Sequence, residues 1–69
     1  MEYSETNRLS RLTAILILFQ TKRIITALEL SNRFQVSKRT IYRDIKSLEQ
    51  AGVPIITEEG KGYSLMKGY

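Results

Sequence analysis

Two helix-start signals stand eleven residues apart in the middle of this chain, at Thr26 and Ser37. They constrain the fold more than any bulk property does. Thr26-Ala27-Leu28-Glu29 is a capping box, in which the Thr26 hydroxyl accepts from the Glu29 backbone N–H and the Glu29 carboxylate reaches back to the Thr26 N–H. Ile25 before the cap and Leu30 after it are spaced as a hydrophobic staple, so the segment predicts a helix of about two turns over Ala27 to Arg33. The same device follows at once, with Ser37 as N-cap and Val36 and Ile41 as staple. Gly52 stops this longer helix as the first residue past its C-cap.

A short capped helix, a tight turn and a longer capped helix make a helix-turn-helix. Upstream, Leu9, Leu12, Leu16 and Phe19 recur at helical spacing, with Ile15 widening the stripe, and predict a first helix capped by Thr6 or Ser4. Lys22-Arg23-Ile24-Ile25 is either a connector or a short strand completing a sheet elsewhere. Downstream, Pro54 blocks helix continuation, Ile55-Ile56-Thr57 reads as a strand, Glu59-Gly60-Lys61-Gly62 as a turn and Tyr63-Ser64-Leu65 as a second strand. The expected fold class is α+β: a winged helix-turn-helix of three helices plus a C-terminal β-hairpin wing, with room for a short third strand at 22–25.

Composition narrows the function. A chain of 69 residues is one small domain, burying only about 60% of the surface its unfolded form exposes. It contains no His and no Cys, which removes imidazole acid/base catalysis, thiol nucleophiles, disulfides and zinc sites built on those ligands. No paired catalytic groups are in view, so an enzyme is not expected, nor is a cofactor or a metal. Glu58 and Glu59 are adjacent, and in a strand point to opposite faces. The net charge of +4 favours a polyanionic partner. The longest apolar run, Ala14 to Phe19, is far short of the roughly 20 residues that cross a bilayer, and the acidic N-terminus is unlike a secretory signal. A cytoplasmic protein without a membrane partner is expected.

The charge is concentrated. On a helical wheel of the third helix, Ile41, Ile45 and Leu48 share the buried side, and Arg39, Arg43, Lys46 and Gln50 lie opposite. With Lys38, the segment Ser37 to Lys46 holds four cations against the single Asp44. A solvated surface helix ordinarily interleaves Glu with Lys, whereas this stripe has no carboxylate. A cationic helix presented by a tight turn has the diameter and charge to enter a major groove of DNA. Arg39 and Arg43, one turn apart, are the candidates for base edges, through the bidentate fork that suits guanine. Ser37, Lys38, Thr40, Tyr42 and Lys46 flank them as phosphate or base contacts, joined by Lys61 at the wing tip. Asp44 faces the flank nearer the core and is expected to pair with a neighbouring Arg that orients the helix. Tyr63, Phe19 and Phe34 are expected core residues.

The run Leu30-Ser31-Asn32-Arg33-Phe34-Gln35-Val36-Ser37-Lys38-Arg39-Thr40-Ile41-Tyr42-Arg43-Asp44-Ile45, with Leu48, Gly52-Val53-Pro54-Ile55 and Gly62-Tyr63-Ser64-Leu65 after it, resembles the N-terminal winged helix-turn-helix of WYL-domain transcriptional regulators. That domain is related to DeoR-type repressors and to the operator-binding domain of biotin repressors. The resemblance covers nearly the whole chain and implies sequence-specific binding of double-stranded DNA through the helix from Ser37 to Ala51, the wing assisting. It also implies that residues 1–69 are a fragment of a longer regulator, homodimeric when complete, whose effector ligand binds a C-terminal domain absent here. Many helix-turn-helix units carry Gly in the turn where this chain has Gln35, which costs about 1 kcal/mol if that position is left-handed. The competing function, a winged helix used for protein interaction or dimerisation, predicts an apolar patch on the third helix in place of the cationic one. RNA binding predicts aromatic side chains gathered on one surface, which the sequence does not offer.

Overall fold

The structure, a computed structural model, describes residues 7–21 and 23–68. It contains α1 (Arg8–Phe19), α2 (Ala27–Phe34), α3 (Lys38–Gln50), β1 (Ile55–Glu58) and β2 (Gly62–Leu65). Each helix starts on a side-chain cap. Thr26 Oγ1 accepts from the Glu29 N–H at 3.0 Å, and Ser37 Oγ accepts from the Thr40 N–H at 3.1 Å. On α1 the cap is Asn7, whose Oδ1 accepts from the Ser10 N–H at 2.9 Å. Thr6 and Ser4, the two expected caps, lie outside the described residues. Asn7 displaces them because an amide oxygen serves an N-cap as well as a hydroxyl does.

The core is one cluster drawn from all three helices and the segments between them. Ile15, Phe19, Ile25, Leu30, Phe34 and Ile41 are fully buried, and Ile45, Leu48 and Val53 nearly so. At about 1.5–3 kcal/mol for each large apolar side chain removed from water, this cluster is the main favourable term for folding. Both staples are in place: Ile25, Leu30 and Ile41 are buried and Val36 packs on the cluster. Leu9 departs from the expected stripe and is 71% exposed. The buried arc of α1 runs through Phe19 and Ile15, and its continuation toward the N-terminus falls on Arg11 and Arg8 instead of Leu9.

Helix ends follow from backbone chemistry. Past α3, Gly52 adopts φ +101, the Gly52 N–H donates to Glu49 O at 3.0 Å and the Val53 N–H to Leu48 O at 3.0 Å. This is a Schellman motif, completed by the burial of Val53 and Leu48. Past α2, Gln35 does sit in the left-handed region, at φ 57 and ψ 44, and its own Nε2 donates to the Asn32 carbonyl at 2.8 Å. An amide side chain thus satisfies a helix-end carbonyl where Gly would leave it to water, offsetting part of the strain.

The hairpin is antiparallel with Ile55 opposite Leu65 and Glu58 opposite Gly62. Gly62 therefore belongs to the strand as well as ending the expected turn. The third strand expected at 22–25 shrinks to one residue: Ile25 makes a single bridge to Tyr63, with N–H donations in both directions at 2.8 and 2.9 Å. One pair is all that fits before Thr26 turns the chain into α2, and Lys22 lies outside the described residues. That bridge fastens the wing to the base of the helix-turn-helix, and Tyr63, half-buried, packs against the core there. Three helices with this hairpin are a winged helix.

Candidate nucleic-acid interface

The third helix is clamped from behind by α1. Arg11 donates from Nε to Asp44 Oδ2 and from Nη2 to Asp44 Oδ1, the latter at 3.0 Å, and the Asp44 side chain is 1% exposed. Arg8 adds a second guanidinium, its Nε 3.7 Å from Asp44 Oδ1 and its Nη2 donating to Ser47 Oγ. The hydrogen bond to Asp44 raises the Arg11 pKa further above its ordinary value, against the opposing effect of burial. Asp44 does pair with arginine as expected, but the partners come from α1. The signal for this lies in the sequence: Arg11 continues the helical arc of the buried Ile15 and Phe19, a place where an unpaired cation is costly.

The clamp determines the charge of the opposite face. With Ile41, Ile45 and Leu48 buried, Arg39, Arg43, Lys46 and Gln50 are exposed along the outer side of α3. Of the two carboxylates of α3, Asp44 is already taken by α1, and the exposed Glu49 makes no ion pair among the described residues. Among the described residues the ion pairs are those at Asp44 and one between Arg23 and Glu29, so Arg39, Arg43 and Lys46 keep their charge uncompensated.

The remaining candidates divide into two groups. Ser37 and Thr40 form the cap, where Ser37 Oγ accepts the Thr40 N–H and donates to Thr40 Oγ1 at 3.2 Å, leaving both hydroxyls engaged locally. Lys38, Tyr42 and Lys61 meet in an open groove of about 360 Å³ between the wing, the start of α2 and α3. Tyr42 is 50% exposed there and Leu28 54%. Glu58 and Glu59, whose adjacency in the sequence speaks only against a catalytic pair, line the same groove beside Lys61. Burial, and secondarily Tyr42 and Glu49, push the Tyr63 hydroxyl above the usual tyrosine range. At the start of α2 the Arg23 guanidinium holds the Glu29 carboxyl below its usual range. Among the described residues no group of His, Cys, Asp and Glu is arranged to hold a metal ion, and no helix is long and apolar enough to cross a membrane.

Comparison with known proteins agrees with this geometry. Residues 11–64 match the family described as an HTH domain. Over 55 residues, 80% of this chain, the sequence is 47% identical to an uncharacterized HTH-type transcriptional regulator, YobV, of Bacillus subtilis (strain 168). The chain spans 18% of that protein's length. No solved structure matches it significantly. With α2, the Gln35 turn and α3 lying inside the matched segment, the chain belongs to the HTH domain family.

Proposed function

We propose that these residues form the sequence-specific, duplex-DNA-binding domain of a bacterial transcription regulator, with α3 lying in the major groove. The observation that carries this reading is the outer face of α3, where Arg39, Arg43 and Lys46 stand exposed without a carboxylate partner while Asp44 is neutralised from behind. Membership of the HTH family and likeness to a protein named as a transcriptional regulator support it. Arg39 and Arg43 read base edges. Lys46 beside them, and Lys38, Tyr42 and Lys61 from the groove under the wing, contact phosphates or outer bases. Ser37 and Thr40 serve chiefly by fixing the start of α3, whose backbone N–H groups and dipole favour a phosphate. In a regulator of the WYL or DeoR type, working in the cytoplasm, dimerisation and effector binding would be supplied by other parts of the protein.

The test is fluorescence anisotropy with duplex DNA over a salt series. Contact with about four phosphates gives a slope of log K against log[salt] of about −3 to −4. Absence of binding at low salt would overturn the reading.

A further inference from the structure

Asp44 is met by two arginines and needs one. Arg11 takes both of its oxygens, with Nε on Oδ2 and Nη2 on Oδ1, and the Arg11 side chain is 11% exposed. The Arg8 Nε lies 3.7 Å from Oδ1, beyond hydrogen-bonding reach, and the Arg8 side chain is 58% exposed. One buried carboxylate against two guanidinium groups leaves one positive charge over, and that charge sits on Arg8. What holds Arg8 in place is Ser47 of α3, whose Oγ accepts from Arg8 Nη2. This bond engages one of the five N–H donors of the guanidinium, and the Arg8 side chain makes no other hydrogen bond among the described residues.

The place of Ser47 on α3 gives that charge a direction. At about 100° per residue Ser47 lies about 40° from Arg43, at one margin of the outer face, and Tyr42 lies at the other margin, about 140° from Ser47. Tyr42 and Lys38 border the groove under the wing. On the side away from the wing α3 itself offers Thr40 and Ser47, both neutral. Arg8 supplies the cation missing there, from another helix.

We propose that Arg8 binds a backbone phosphate on the wall of the DNA major groove opposite the wing, held at the margin of α3 by Ser47. The proposal rests on the reading that α3 enters that groove. A helix with its side chains is about 10–12 Å across and the groove about 12 Å wide, so both margins of a docked helix face a sugar-phosphate wall. Lys38 and Lys61 meet one wall and Arg8 the other. A guanidinium fork suits phosphate as it suits carboxylate, and a tethered one loses less freedom on binding. Asp44 does not compete for it, being neutralised already by Arg11.

The test is the anisotropy salt series with duplex DNA, run on Arg8→Ala, Arg8→Gln and Arg8→Lys beside the unmodified chain. Loss of one phosphate contact is expected to weaken binding about threefold to tenfold and to reduce the magnitude of the salt slope by about 1 in the Ala and Gln forms. The Lys form keeps the charge and with it most of the slope. Circular dichroism stays unchanged in all three, because Arg11 still neutralises Asp44. On a selected operator carrying a neutral methylphosphonate at one position at a time, Arg8→Ala and Lys38→Ala are expected to lose sensitivity at positions on opposite strands. Base preference on that operator stays the same in Arg8→Ala, whereas a residue that merely held α3 in place would shift it. If the unmodified chain fails to bind duplex DNA at low salt, the proposal falls together with the DNA reading. If it binds and Arg8→Ala keeps the full slope, or the Lys form loses as much slope as the Ala form, the proposal alone is overturned.

Discussion

Arg11 of α1 grips Asp44 of α3 through two parallel donations from one guanidinium, with the carboxylate 1% and the Arg11 side chain 11% exposed. A charge pair this dry is worth little against a well-packed apolar pair, yet removing one member leaves the other stranded, which costs about 3–5 kcal/mol. A domain of this size is stable by only about 3–10 kcal/mol.

Asp44→Ala is therefore expected to lose about 3 kcal/mol or more, shown by a sharp drop of the urea midpoint followed by circular dichroism. Replacing both partners, Arg11→Met with Asp44→Leu, is expected to return most of that loss. A single-variant loss below about 1 kcal/mol would mean that water reaches the carboxylate and that the pair does not clamp α3.

The reach of sequence reading is well illustrated by this pair. Caps at Thr26 and Ser37 and the Gly52 stop could be read because the groups involved lie within a turn of each other along the chain. Asp44 was legible as a paired residue, but its partner lies 33 positions away and follows only from the packing of α1 on α3. The Ile25 to Tyr63 bridge and the meeting of Lys38 with Lys61 in one groove are likewise tertiary facts. Leu9 was misplaced because an apolar residue at helical spacing says which arc is continuous, not where the neighbouring helix ends. The outer cations of α3 were legible in full, since amphipathic periodicity and exposure are both local consequences of one helix being packed on one side.

Gln35 in the left-handed region offers a second test. Gln35→Gly removes the strain of about 1–2 kcal/mol but also the bond to the Asn32 carbonyl and some unfolded-state restriction, so the net change is expected within about 0.5 kcal/mol. Gln35→Val keeps the strain, adds a branched Cβ and loses the bond. It is expected to cost about 2 kcal/mol or more by urea denaturation. Equal stability of the Val and Gln forms would contradict a left-handed turn.

Gly62 separates two ways in which glycine is required. It has φ +136, and a Cβ there would lie 2.7 Å from the Ile25 carbonyl oxygen and 2.9 Å from its carbon. Gly62→Ala must therefore push the wing off the Ile25 to Tyr63 bridge. At Gly52, with φ +101 and open space around the added carbon, alanine pays backbone strain alone, about 1–2 kcal/mol. Gly62→Ala is expected to be the more damaging, and amide exchange of Ile25 and Tyr63 should speed up in that variant alone. Matching losses with protected amides in both would remove the role assigned to the bridge.

Arg23 donates to both carboxylate oxygens of Glu29, from Nη1 at 3.2 Å and from Nη2 at 2.6 Å, and so holds that carboxyl below the usual range. With the folded-state value depressed, the unfolded chain takes up the proton first as pH falls. The contribution is present above the ordinary carboxylate range and disappears as pH drops through the folded-state value. Both side chains are well exposed, so the effect on stability is small. In a carbon-detected NMR titration, Arg23→Ala is expected to move Glu29 upward toward an ordinary carboxylate. An unchanged Glu29 titration would assign the depression to the Thr26 N–H and Arg33, the lesser causes, in place of Arg23.

The division of labour proposed for DNA gives the last test. Arg43 stands on the outer face of α3, whereas Lys61 sits at the wing tip in a groove it shares with Glu58 and Glu59. On a selected operator, Arg43→Ala is expected to relax preference at one base pair by about 1–3 kcal/mol. Lys61→Ala should weaken all sequences alike and reduce the magnitude of the salt slope by about 1. The neighbouring carboxylates make a further distinction: Glu59→Gln removes a repulsion from phosphate and is expected to tighten binding to every sequence, more so at low salt. If Arg43→Ala and Lys61→Ala instead produce equal losses that ignore sequence, both residues act on the backbone, and base reading has to be reassigned along α3, with Arg39 and Gln50 the next side chains on the same exposed face.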